Sequence, residues 1–439
     1  MRYLVGLDDT DSASGMCTTY LAYRIASDLR PKIRVLPFPR LVRLNPNIPF
    51  KTRGNAAVSL TVEADDGEEA FADLCEVVSR YSDVENGANT GLVFLDDSSL
   101  MPLAREVYQR ALKGVVNPKG LASALRGRNA RVYTLGNGMG IVGAFASLGF
   151  DASFDHTFEL IAYRRRGLWG TRRIVEPDSV RQMELATFPH TFNSYDHQKA
   201  KVLIAPHGPD PVLAGIRGDS PNVLLRAFRM LRFGERPEGY MVYLTNQCTD
   251  AHLSYPLDDK VYSSGWFEGE VASSSVGEGG HVYITVRNGP SALRCAVYEP
   301  TGDLRRVARL LAAGDRVRVF GGIRRPSRSK GRTLNIEKIE VLSLAQVRTN
   351  PSCKNCGRRM KSEGQTKGFQ CRSCGARAPP SAAVVLERAL QPGVYLPSPR
   401  AHRHLTKPLI RYGAEKAGYE ETGAVDWLAG PARPVRGHA

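Results

Sequence analysis

Two short cysteine pairs constrain this chain more than any other feature. Cys353-Lys-Asn-Cys356 and Cys371-Arg-Ser-Cys374 are each a CxxC, with 14 residues between the pairs. A glycine follows each second cysteine (Gly357 and Gly375), which lets the turn close so that backbone amides point at sulfur. Four thiolates on two such knuckles make the closed tetrahedral site that zinc prefers. No position is left open, so the zinc is expected to be structural. An iron–sulfur cluster is the alternative occupant. Cys17, Cys75, Cys248 and Cys295 stand alone in the sequence and read as small buried hydrophobes. This usage fits a reducing compartment, not a disulfide framework.

Ahead of the cysteines the pattern is that of β-structure. Trp266–Val271, His281–Val286, Leu293–Tyr298, Arg316–Phe320 and Thr333–Leu342 read as five strands. One helical stretch, Leu304–Leu311, falls between the third and fourth. That order is the order of an OB-fold barrel, a common binder of single-stranded nucleic acid. An SH3-like barrel also has five strands but normally lacks the helix. Arg324, Arg325, Arg328, Lys330 and Arg332 crowd one loop, well placed to track phosphates. A barrel used only as a spacer is the competing reading.

Charge agrees with a polyanion-binding half. The net charge is +16, yet residues 301–439 alone carry 27 Lys+Arg against 10 Asp+Glu. The preceding 300 residues are close to neutral. A basic module beside a neutral one is the footprint of nucleic-acid binding attached to another activity; a solvated basic surface is the plainer reading.

The neutral part is long enough for more than one domain and alternates strand and helix signals, an α/β or α+β pattern. Leu4–Leu7 is an apolar strand that runs into Asp8, Asp9 and Asp11. Three carboxylates within four residues repel one another unless a cation holds them, and magnesium bridging phosphates is the usual occupant. Thr18 opens an amphipathic helix through Leu21, Ile25 and Leu29, where free amides favour phosphate. Turn and helix caps are the other reading of the same residues. Gly138-Met-Gly140-Ile-Val-Gly143 follows a strand-like Arg131–Leu135. It is either a glycine turn before a packed helix or a contribution to nucleotide binding. The loop Arg43–Asn55 is rich in donors, with Lys51 and Arg53 able to reach phosphate. The Gly/Pro-rich loop from His207 to Asp219 offers Asp210 and Asp219 to a cationic ligand, or is a purely structural loop.

Hydrophobic residues at 42% and charged residues at 24% exclude global disorder. No apolar run reaches the length of a membrane span. The N-terminus meets Asp8 and Asp9 too soon for a signal peptide. A cytoplasmic protein is expected.

Taken together, Gly6–Ser12, Gly15–Thr19, Arg43–Asn55, Phe154–Arg164 and Pro206–Asp219 resemble the archaeal tRNA(Ile) 2-agmatinylcytidine synthetases over nearly the whole chain. His156 stands where that family suggests Tyr. The resemblance implies a multidomain α/β and α+β protein with four parts. These are an ATP-binding kinase-like catalytic domain (1–190), a ferredoxin-like agmatine-binding domain (191–258), an OB-fold (259–345), and a zinc ribbon with a basic tRNA-binding region (346–439). It implies a ligase that uses ATP to activate the 2-oxo group of the wobble cytidine in the CAU-anticodon isoleucine tRNA. Agmatine then replaces that group, so that the tRNA reads AUA. Asp8, Asp9, Asp11 and Thr18 are the implied catalytic residues, with magnesium on the carboxylates and Thr18 as phospho-acceptor or its neighbour. Lys51, Arg53, Gly138 and Gly140 are the expected ATP contacts, and Asp210 and Asp219 the expected agmatine partners. The basic loop from Arg324 to Arg332 is the expected tRNA contact, and zinc on the four cysteines is structural.

Two readings from other classes compete. A non-enzymatic single-strand binder explains the barrel and ribbon but leaves the first 240 residues and the triple-Asp loop unexplained. A small-molecule kinase with an accessory RNA domain explains the loop but not the cationic half.

Overall fold

Apolar residues in the first half of the chain alternate on strands and recur at helical spacing between them, and both sets need burial. The computed structural model meets this with one twisted sheet covered by helices on both faces. It describes residues 1–326, 331–364, 366–418 and 425–430; Arg328 and Lys330 lie outside the described residues. The chain forms two compact units. The first holds Met1–Trp266, Gly322–Arg325 and the C-terminal segment from Ser398 on; the second holds Phe267–Gly321 and Pro326–Pro397.

The first unit begins β1 (Arg2–Asp8), α1 (Thr18–Asp28), β2 (Arg34–Val35), β3 (Arg40–Arg43), β4 (Ala56–Glu63) and α2 (Gly67–Tyr81). It continues β5 (Gly91–Leu95), α3 (Met101–Lys113), α4 (Pro118–Leu125), β6 (Ala130–Thr134), α5 (Ile141–Leu148) and β7 (Thr157–Tyr163). Then come α6 (Pro177–Thr187), β8 (Thr191–Phe192), β9 (Tyr195–Asp196), β10 (Lys201–Val202), β11 (Val212–Gly218), α7 (Pro221–Met230) and β12 (Gly239–Thr245). The main sheet runs β6-β5-β1-β4-β3-β12-β7-β11-β8. Parallel pairing of β3 with β12, Leu244 opposite Arg40, joins its two halves. Leu428–Ala429 adds a short strand against β12.

Alternation along the strands assigns the faces. On β5, Leu92 and Phe94 pack with α1 and α2, while Val93 and Leu95 pack with α3, α4 and α5. All five β5 residues are buried, as expected of a strand covered on both sides. Asp66 caps α2 through the Glu68 and Glu69 amides, the N-terminal signal its sequence carries. On the second half of the sheet α6 and α7 cover the face that α3–α5 cover on the first.

The second unit is the expected barrel. β13 (Ser264–Val276), β14 (Val282–Asn288), β15 (Ser291–Val297), α8 (Asp303–Leu310), β16 (Arg316–Arg324) and β17 (Thr333–Ser343) follow the OB order. The sheet runs β15-β14-β13-β16-β17 and closes by parallel pairing of β15 with β17, Cys295 opposite Leu334. Val271, Ile284, Val319 and Ile336 fill it. Asp315 is fully buried and is held by Arg388, with the second contact at 2.7 Å, and by the Ala312 and Ala345 amides. The ribbon follows as three short antiparallel strands, Lys361–Ser362, Phe369–Gln370 and Arg377–Ala378.

One placement departs from the expected order. The segment from Ser398 on, expected with the ribbon, belongs to the first unit. Arg411 explains why: it is buried, and its guanidinium binds Asp155 Oδ1 at 2.7 Å and the Cys248 carbonyl at 2.6 Å.

Candidate active site

A cavity of about 380 Å³ opens in the first unit where β1 ends and α1 begins. Asp8, Asp9, Asp11, Thr18, Lys51, Arg53, Gly140 and Asp210 all line it. Residues from separate stretches of sequence therefore converge there.

The carboxylates come from the end of β1. Asp8 is the last residue of the strand, and Asp9 takes a left-handed φ of 54°, turning the chain so that all three acids face one space. Thr90 Oγ1 donates to the Asp9 carbonyl at 3.1 Å and fixes that turn. Burial, with repulsion from Asp9 and Asp11 added, raises the Asp8 carboxyl well above its usual range. Burial raises Asp9 as well. Asp11 is pushed up to about 6 by burial, with Arg53 opposing. Thr52 Oγ1 lies 3.3 Å from Asp9 Oδ1 and 3.2 Å from Asp11 Oδ1. Three partly buried carboxylates and the Thr52 hydroxyl thus gather at one wall of the cavity, hard oxygen donors of the type magnesium takes.

Next to them, α1 starts without a side-chain cap. Cys17 is the N-cap and makes no capping hydrogen bond, so the first-turn amides remain available to an anion. Thr18 is the first helical residue, not a cap; it is buried, and its Oγ1 lies 3.0 Å from Thr10 Oγ1. Tyr163 and Tyr243 hydroxyls donate to the Thr19 carbonyl at 3.0 and 2.7 Å, pinning this turn to the sheet. Cys17 lines the cavity and is partly accessible, and Cys75 is partly accessible too, unlike the buried Cys248 and Cys295.

The glycine motif serves close packing. Gly138 makes a left-handed turn (φ 71°) and does not line the cavity. Gly140 does: a Cβ on it would fall 2.7 Å from the Asp8 carbonyl oxygen.

Lys51 and Arg53 are both at the wall but differently engaged. Lys51 Nζ donates to the Arg53 carbonyl at 2.8 Å, and burial, with Arg403 and Arg324 nearby, lowers its pKa. The Arg53 guanidinium donates to the carbonyls of Met16, Ser12 and Gly15 at 2.7, 2.9 and 3.0 Å. It lies 3.6 Å from Asp11 and 3.8 Å from Asp210. Arg53 thus clamps the loop between the acids and α1.

Asp210 and Asp219 part company. Asp210 is buried at the cavity wall, with Oδ1 accepting from Arg173 at 3.2 Å. Asp219 does not line the cavity; it faces His190 at 3.5 Å and Arg411 at 3.7 Å. The structure therefore does not bring Asp219 to the cavity with Asp210; its carboxylate answers Arg411.

The sequence alone does not single out a further group at the cavity. Glu159, buried on β7, lies 3.3 Å from Arg217 and 3.9 Å from Arg43. His404 approaches Arg217 at 2.8 Å. Arg43, burial-lowered to about 10, has a buried Nε without a hydrogen-bond partner among the described residues. A carboxylate inside an apolar strand, as in Phe158-Glu159-Leu160, is the one sequence signal that points to this group.

In the second unit, the four cysteine sulfurs lie within 4.8 Å of one another, with Cys353–Cys374 and Cys356–Cys371 at 3.4 Å. Gly357 and Gly375 take φ of 71° and 75° as the knuckles require. These sulfurs fit zinc. Arg324 and Arg325 fall in the first unit, and Arg332 precedes β17.

A cavity of mixed charge beside an uncapped helix N-terminus thus stands on a chain that also carries an OB-type barrel and a four-cysteine ribbon. Family models for the TiaS TCKD domain and the TiaS FLD domain match residues 4–137 and 138–252. Models for an OB-fold nucleic acid binding domain and the TiaS C-terminal zinc ribbon domain match 266–342 and 350–390. The chain is 42% identical over 434 residues to TiaS, the isoleucine-2 tRNA 2-agmatinylcytidine synthetase of Cenarchaeum symbiosum (strain A), covering 97% of this chain and 96% of that one. It is 38% identical over 425 residues to the enzyme of that name from Archaeoglobus fulgidus, covering 94% and 99%. A solved complex of TiaS with isoleucine-2 tRNA and ATP superposes with a TM-score of 0.83 at 38% identity, covering 94% of this chain and 97% of that one. A complex of TiaS with the same tRNA, AMPCPP and agmatine superposes at 0.80 and 35% identity, with the same coverage. The chain belongs to the TiaS family of isoleucine-tRNA 2-agmatinylcytidine synthetases. Among the described residues, no helix is long and apolar enough to cross a membrane.

Proposed function

We propose that this protein replaces the 2-oxo group of the wobble cytidine in the CAU-anticodon isoleucine tRNA with agmatine, at the expense of ATP. The observation that carries this reading is one cavity that holds three carboxylates, an uncapped helix N-terminus and the buried Asp210. It occurs in a chain that matches agmatinylcytidine synthetases from end to end.

The chemistry follows from the leaving group. Cytosine O2 leaves poorly, so it is first phosphorylated by ATP. The primary amine of agmatine, as the free base, then attacks C2, the C–O bond breaks, phosphate departs with the electron pair, and the new C–N nitrogen gives up a proton to the departing phosphate or to water. Asp8, Asp9 and Asp11 would hold magnesium, which when bound neutralises the triphosphate and orients the phosphoryl group. The α1 amides stabilise phosphoryl oxygens by the helix dipole. Thr18 is the phospho-acceptor or a close neighbour of the transferred group. Arg53 keeps the Ser12–Met16 loop closed over the acids, and Lys51 supplies charge at the rim. Asp210 faces one cationic end of agmatine.

The basic barrel and ribbon grip the tRNA backbone. The wobble base leaves its stack to enter the cavity, since chemistry at C2 cannot be done inside a stacked anticodon loop. The reaction takes place in the cytoplasm, where charged and uncharged tRNA reside.

ATP cleavage by the purified protein, measured with and without the CAU-anticodon isoleucine tRNA transcript and agmatine, tests the reading. Cleavage that requires the tRNA supports it. Cleavage indifferent to tRNA favours a small-molecule kinase, and tight tRNA binding without cleavage favours a binding protein.

A further inference from the structure

Residues beyond the ribbon return to the first unit and put one side chain, His404, into the wall of a cavity that begins at the end of β1. Two neighbours with opposite demands face its Nδ1. Arg217 Nη2 lies 2.8 Å from His404 Nδ1, and a guanidinium only donates, so Nδ1 accepts and the ring proton sits on Nε2. Gln247 Oε1, 3.0 Å from the same nitrogen, only accepts and asks for the opposite tautomer; the charge-assisted contact with Arg217 is the shorter and stronger of the two and decides for Nε2–H. Burial, with Arg43, Arg217 and Lys51 around it, pushes the ring's pKa well below the usual histidine range. Nε2 has no hydrogen-bond partner among the described residues and faces Gly54, where a Cβ would lie 2.9 Å away. Gly54 itself lines the cavity.

We infer that His404 is a substrate-positioning residue, holding Arg217 through Nδ1 and offering Nε2–H to a hydrogen-bond acceptor of a substrate in the cavity. The inference rests on the reaction proposed above. The agmatine guanidinium carries donors only and the lone pair of its attacking amine is directed at C2, so the acceptor belongs to the nucleobase or to a phosphoryl group. His404 donates without releasing its proton; the cations around it oppose the imidazolium that proton shuttling needs. The C-terminal segment is therefore part of the reaction site and not an appendage of the ribbon.

The discriminating substitution is His404→Asn. Its amide oxygen can still accept from Arg217 near the Nδ1 position, but nothing reaches the Nε2 position. With the full-length enzyme, we expect wild-type thermal stability and a kcat/KM for agmatine incorporation lower by about tenfold or more, the scale of one lost directional hydrogen bond. A raised KM for tRNA places the acceptor on the base; a raised KM for ATP places it on phosphate. Unchanged kcat/KM overturns the inference. A wild-type protein that incorporates no agmatine overturns the proposed reaction instead. Should the variant fold poorly, nitrogen-15 histidine spectra of the wild-type protein decide. An Nε2–H tautomer that shifts on adding tRNA or AMPCPP supports the donor role, whereas Nδ1–H, imidazolium or an unmoved signal overturns it.

Discussion

Gly143 stands against Asp8 so closely that a Cβ on the glycine would overlap Asp8 Oδ2. The relationship ties two distant pieces of sequence, the end of β1 and the first turn of α5, into one wall. The absent side chain at Gly143 is what lets the first carboxylate of the cluster lie flat on the helix. Gly143→Ala should push Asp8 aside, costing about 1–3 kcal/mol of stability as overpacking does. ATP cleavage should fall by at least about a hundredfold, as displaced catalytic groups do, while tRNA affinity holds. Thermal denaturation, a cleavage assay and a filter-binding titration on one preparation check all three.

Burial raises the Asp8, Asp9 and Asp11 carboxyls, with charge repulsion adding at Asp8 and Asp11, so ionising them costs stability that is lost as pH rises towards neutrality. A divalent cation relieves that cost. Millimolar magnesium should raise Tm by a few degrees, with a concentration dependence that reports the site. In Asp9→Asn the rise should shrink and the magnesium-free Tm should climb. A magnesium-independent Tm in the wild-type protein would remove the cluster's metal role.

Arg53 acts as a fork, since its three carbonyl acceptors need the spread of a guanidinium. Arg53→Lys keeps the charge and loses the geometry. Faster amide exchange over residues 12–17 and a lowered kcat are expected, with little change in overall Tm. Protection equal to wild type would show that the loop does not depend on this clamp.

Under the proposed reaction Asp210 meets agmatine, whereas Asp219 serves an ion pair with Arg411. Asp210→Asn should raise the KM for agmatine by about tenfold, a charge-assisted hydrogen bond lost. Asp219→Asn should leave that KM alone and lower Tm, since Arg411 loses a partner. Steady-state kinetics with agmatine as the varied substrate distinguish the two.

What the sequence makes legible is local. Leu4–Leu7 is apolar and then meets acids, so strand and acidic turn follow; Thr18 opens a helix because the spacing after it is helical. The cysteine knuckles carry their own glycines, and the barrel's five strands and helix appear in order. Arg53 reads as a phosphate contact, and nothing local marks the three carbonyls to which it also donates. Asp219 looks equivalent to Asp210 because the Arg411 that neutralises it lies far along the chain. Glu159 and His404 gain their roles only when β7 and the C-terminal segment meet at one cavity, a tertiary fact without periodicity or spacing to announce it.

The most direct test of the central claim is mass spectrometry of nucleosides from the CAU-anticodon isoleucine tRNA transcript after incubation with protein, ATP, magnesium and agmatine. The account predicts one agmatine-bearing cytidine, at the wobble position, formed only with ATP and absent with Asp9→Asn. An unmodified wobble cytidine in the presence of all components, from protein that binds the tRNA and retains its zinc, would contradict it.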